Sequence, residues 1–149
     1  MMQPSGQASA TTVPIGSDAD LAWVRQQVRQ CAAALGFGLV QQTKLVTAAS
    51  ELARNTLVHG GGGHAEITPL DNGRARGLRM SFIDSGPGIR DLELAMTDGY
   101  TSGGGLGLGL SGARRLVQEF SVDTEPRRGT TVTAVAWVTQ VPASRSGLG

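Results

Sequence analysis

The chain has 149 residues, 40% of them hydrophobic, enough for one packed core and too apolar for global disorder. Lys plus Arg is 13 against 12 for Asp plus Glu, which removes the electrostatic case for nucleic acid. No apolar run reaches the roughly 20 residues of a membrane span. The start also lacks a signal peptide's basic and apolar regions. A single cysteine, Cys31, excludes an internal disulfide, so the expected compartment is the cytoplasm.

Residues 1–12 are small and polar and are expected to form a flexible N-terminus, with a flexible tail over 139–149 and one domain over 13–138. "TTVPI" predicts a short strand, confined to a sheet edge by Pro14. A helix is predicted over 17–36. Ser17 can cap it with Asp20 three residues on; Leu21, Val24, Val28, Cys31 and Leu35 form its stripe, and Gly36 stops it. A second helix runs through "QQTKLVTAASELARNTLVH", with Leu45, Ala48, Ala49, Leu52 and Ala53 inward. "AEITPL" and "GLRMSFID" read as a hairpin around "DNGRAR", with Leu78, Met80 and Phe82 alternating. "RDLELAM" predicts a short helix and "TSGGGLGLG" a loop. "LSGARRLVQEF" predicts a third long helix with Leu116, Val117 and Phe120 inward, followed by strands "SVDTE" and "TTVTAVAWV" around "PRRG". That order favours an α+β two-layer sandwich, a mixed but mostly antiparallel sheet covered on one face by helices.

Three stretches carry chemistry. In "ELARNTLVH", Glu51, Asn55 and His59 are four residues apart and share one helix side, a pattern that an ordinary solvated face also produces. Glycine totals 22, about twice its usual share of roughly 7%, and the densest run stands before a helix. Bare N–H groups at a helix start suit a phosphate. The pattern is neither "GxxxxGK[ST]" nor a first-strand "GxGxxG". "DSGPGI" ends a strand in an acid and two glycines, as either a simple turn or a close approach of backbone to ligand. Asp84 can accept from an exocyclic amine such as that of adenine. Asn55 offers a neutral oxygen to a cation that keeps most of its waters, as Mg²⁺ does. Glu51 can deprotonate a hydroxyl. In combination these are the parts of an ATP site.

These boxes resemble those of the GHKL (Bergerat-fold) ATPases: "ELARN" the N box, "DSGPGI" and "GGGLGLGL" the glycine boxes, "RRGTTVTA" the last. Within that superfamily the chain is most similar to the small bacterial switch-protein serine/threonine kinases of the RsbT type, over roughly residues 13–138. The RsbW and SpoIIAB anti-sigma kinases share the boxes but usually carry "E…TNA" on this helix. The resemblance implies a general base at Glu51, Mg²⁺ coordination by Asn55, and adenine recognition by Asp84 with Thr130 in support. It implies that Gly86 and Gly88 shape the adenine pocket. Ser102, Gly103, Gly104, Gly105, Leu106, Gly107, Leu108 and Gly109 would wrap the phosphates. The role of His59 stays open. The lid between Ile89 and Gly103 is short and contains no lysine. The implied function is an ATP- and Mg²⁺-dependent protein serine/threonine kinase in a stressosome-type stress response that works by partner switching. Its substrate would be a STAS-domain antagonist protein, and the freed kinase would engage a PP2C-type phosphatase regulator. An anti-sigma factor with serine kinase activity and a nucleotide-gated module without catalysis are the alternatives. Neither nucleic acid nor membrane is an expected partner.

Overall fold

The structure, a computed structural model, describes residues 10–89, 91–97 and 109–139. The chain opens with β1 (Thr11–Ile15) and α1 (Asp18–Leu35). Ser17 caps α1 by accepting the Asp20 N–H, and the Asp20 carboxylate reaches back to the Gly16 N–H at 2.8 Å. At the other end Gly36 adopts φ 98°, a left-handed cap that glycine takes without steric cost. Cys31 lies on the partly buried edge of this helix, where burial pushes its thiol pKa up. α2 (Leu39–Val58) runs back antiparallel to α1, and the Arg25 guanidinium spans the two helices to the Ser50 hydroxyl at 3.4 Å.

The sheet follows as β2 (Gly63–Asp71), β3 (Arg76–Asp84), β4 (Glu119–Glu125) and β5 (Gly129–Trp137). Its order is β1-β2-β3-β5-β4, with β1 at the edge where Pro14 belongs. Every pairing among the described strands is antiparallel, in line with the mostly antiparallel sheet expected. The inward face is apolar: Ala65 pairs with Phe82, Ile67 with Met80, Phe82 with Val132 and Met80 with Ala134. The intervening rows are polar, with Ser81 opposite both Glu66 and Thr133. Period-2 alternation therefore gives the sheet one core face, and α1 and α2 lie across it. Fully buried Leu45, Leu52, Ile67, Leu78, Met80 and Phe82 fill the interface, each contributing on the order of 1.5–3 kcal/mol by burial.

Among the described residues two further short helices follow, α3 (Leu92–Ala95) and α4 (Gly109–Arg115), the latter against α2. The long third helix expected over 110–120 ends at Arg115 instead, and Glu119 and Phe120 open β4. Phe120 still packs on the core, opposite Ala134, because an inward row of the sheet needs an apolar residue there. The apolar spacing that imitates a helix is thus shared between a short helix and a strand. His64 lies in β2 with its Nε2 3.3 Å from Glu66 Oε2.

Candidate nucleotide site

A cleft of about 300 Å³ opens between α2, the ends of β3 and β5, and the segment around α3. Leu52, Phe82, Leu110 and Val132 give it apolar walls wide enough for a flat ring. Polar groups enter at defined points: Asn55 from α2, Asp84 from the end of β3 and Thr130 from the start of β5. Ile89, Asp91, Leu94 and Ala95 close one side. Asp91 is the N-cap of α3, its Oδ1 accepting the Leu94 N–H at 3.0 Å.

Asp84 is the last residue of β3, paired with Gly63 on one side and Thr130 on the other. Its Oδ1 accepts the Gly86 N–H at 2.9 Å, which turns the chain sharply and fixes the carboxylate. The sequence reading gave no role to Gly60. A Cβ there would stand 2.3 Å from Asp84 Cγ, so the carboxylate lies where only glycine leaves room. Gly88 lines the cleft at φ 81°, and a Cβ on it would meet the Glu125 carbonyl oxygen at 2.4 Å. Gly86 does not line the cleft; its neighbour is the Gly60 backbone. These glycines are required at least as much by chain packing against chain as by any ligand.

Thr130 is nearly buried, and its Oγ1 lies 2.9 Å from Thr124 Oγ1 on β4. Thr124 accepts the Ile89 N–H at 2.8 Å. The pairing of Thr124 with Thr130 follows once the turn over 126–128 is fixed, and that register was the signal available in the sequence.

Asn55, Asp84, Gly88, Gly109 and Thr130 thus meet at one cleft, and His59, whose role was left open, lines it too. Glu51 is partly buried one turn before Asn55 on α2 and does not belong to the lining. Ser102, Gly103, Gly104, Gly105, Leu106, Gly107 and Leu108 lie outside the described residues. Among the described residues no cluster of three His, Cys, Asp or Glu side chains can hold a metal by itself. Asn55 brings a neutral amide oxygen to the cleft lining, a donor type that Mg²⁺ accepts.

Fold and cleft together define a nucleotide-binding ATPase domain. The family model for histidine kinase-, DNA gyrase B- and HSP90-like ATPases matches residues 40–140. The chain belongs to that family and, within it, to the serine/threonine kinases of the RsbT type. It is 40% identical over 126 residues to the serine/threonine-protein kinase RsbT of Bacillus subtilis (strain 168), covering 85% of this chain and 95% of that protein. Among solved structures it resembles the RsbU and RsbW domains of a Mycobacterium tuberculosis protein, with TM-score 0.64 and 20% identity. That likeness covers 90% of this chain but only 34% of the other, so the chain spans about a third of its length, and what they share is the fold. No described helix is long and apolar enough to cross a membrane.

Proposed function

We propose that the chain transfers the γ-phosphoryl group of ATP to a serine or threonine hydroxyl of a STAS-domain antagonist, as a partner-switching kinase of a stressosome-type pathway. The observation that carries this reading is the convergence of Asp84, Thr130 and Asn55 on one cleft, with Glu51 one turn from Asn55. In it, the Asp84 carboxylate accepts from the 6-amino group of adenine while Leu52, Phe82 and Val132 hold the ring. Gly103 to Gly109 carry the phosphates on backbone N–H groups, and Asn55 is the protein ligand of Mg²⁺. The metal, when bound, neutralises charge developing on the β- and γ-phosphate oxygens. Glu51 takes the proton of the partner's hydroxyl as its oxygen bonds to the γ-phosphorus and ADP departs. The new phosphate brings a charge of about −1.5 to −2 into the protein–protein contact and so weakens it. The kinase is then released to a second partner, a PP2C-type phosphatase regulator. Relationship to RsbT supports this chemistry over simple nucleotide binding.

The test is phosphotransfer from labelled ATP to STAS-domain proteins of the same genome. Glu51→Gln should bind ATP nearly as the parent does and lose phosphotransfer by roughly 10²–10⁴, the usual worth of a general base. Full transfer in that variant would remove Glu51 from the role, and no transfer to any STAS protein by the parent would remove the substrate assignment.

A further inference from the structure

Thr124, Thr130 and Asp84 stand side by side across β4, β5 and β3, directly paired in register. Neighbours paired in this way project from the same sheet face. Thr124 itself does not line the cleft. Its Oγ1 is a junction: it accepts the Ile89 N–H at 2.8 Å, lies 2.9 Å from Thr130 Oγ1 and 3.4 Å from the Gly129 carbonyl oxygen. A hydroxyl has one proton and two lone pairs. The Ile89 amide can only donate, so it occupies one lone pair. The Gly129 carbonyl can only accept, and at 3.4 Å it is a poor match for the hydroxyl proton compared with Thr130 Oγ1 at 2.9 Å. The Thr124 proton therefore goes to Thr130. Thr130 then accepts from Thr124, and its own proton is left for an acceptor on the cleft side.

We propose that Thr124 is a positioning residue that fixes Thr130 as a hydrogen-bond donor toward the base and thereby sets a preference for adenine over guanine. The inference rests on the nucleotide reading of the cleft. Adenine presents an acceptor at N1 beside a 6-amino donor. A hydroxyl donor beside a carboxylate acceptor matches that edge. Guanine presents N–H at N1 and a carbonyl at position 6, so it opposes donor to donor and oxygen to carboxylate. The Thr124 oxygen also anchors Ile89, which leads into the side of the cleft formed by Asp91, Leu94 and Ala95. One atom thus ties the reading of the base to the wall that covers it.

The experiment measures ATP and GTP affinities by calorimetry with Mg²⁺ on the full chain, for the parent, Thr124→Val, Thr124→Ala and Thr124→Ser, each checked by a cooperative melt. Loss of one oriented hydrogen bond should weaken ATP roughly tenfold in the Val and Ala variants. Release of Ile89 acts on ATP and GTP alike, so the ATP:GTP ratio is the readout: it should fall by about that factor, and Ser, which keeps the hydroxyl, restores it. A merely structural role would lower both affinities together. A folded Val or Ala variant with the parental ratio overturns the inference alone. A parent that binds no ATP overturns the nucleotide reading and this inference with it.

Discussion

The Asp84 carboxylate is held by what surrounds it rather than by its own chain alone. One oxygen is fixed by the Gly86 N–H, and the carboxylate rests where Gly60 has no side chain. Replacing Gly60 by Ala inserts a carbon 2.3 Å from Asp84 Cγ, so the acid must move. ATP affinity should then fall roughly 10- to 100-fold, the value of one hydrogen bond to a charged group. Gly38, with open space at its Cβ position and φ −71°, provides the control as its Ala variant. Calorimetric titration of both variants reads the difference, and equal affinity would show that Asp84 does not depend on Gly60. Asp84 itself was legible from the sequence, because an acid ending an apolar alternation is a local pattern. The dependence on Gly60 was not, because it joins the end of α2 to the end of β3 and no spacing rule spans that gap.

At the scale of elements, the "DSGPGI" turn and the β4–β5 hairpin behave as one piece. The Arg127 N–H donates to the Pro87 carbonyl at 2.8 Å, Thr124 holds Ile89, and Gly88 presses on Glu125. Gly88→Ala meets both penalties at once, a left-handed φ and a backbone oxygen in its way. It should destabilise the chain by about 2 kcal/mol or more in urea denaturation. Gly73→Ala, at φ 89° with nothing near its Cβ position, should cost only about 1 kcal/mol. Similar losses in the two variants would mean that the close approach contributes nothing. Helices α1 and α2, the edge strand and the β2–β3 hairpin all follow from periodicity and caps in the sequence. The end of the third helix does not, since Leu116, Val117 and Phe120 keep helical spacing while the chain leaves the helix at Arg115 to reach the sheet. Tertiary pairing of β4 with β5 outweighs local propensity there.

For the molecule as a whole, ligand and fold are thermodynamically linked. ATP with Mg²⁺ at about 100 times its dissociation constant should add roughly 2.7 kcal/mol to stability. In a chain of this length that is a rise in Tm of about 5–10 °C. If the proposed Mg²⁺ accompanies the nucleotide, chelation with EDTA should remove much of that rise, because the phosphates then lose their counter-charge. A melt unmoved by ATP would count against the site, and one unmoved by EDTA against a metal in it. The contact of Ile89 with Thr124 bridges 35 positions along the chain, and Gly60 meets Asp84 only after β2 and β3 have paired. The cavity consequently has no precursor in any shorter stretch of polypeptide. A nascent or clipped chain that lacks β5 would leave the base without Thr130 and Val132, so the ability to retain a purine reports that this strand has been made and has paired with β3.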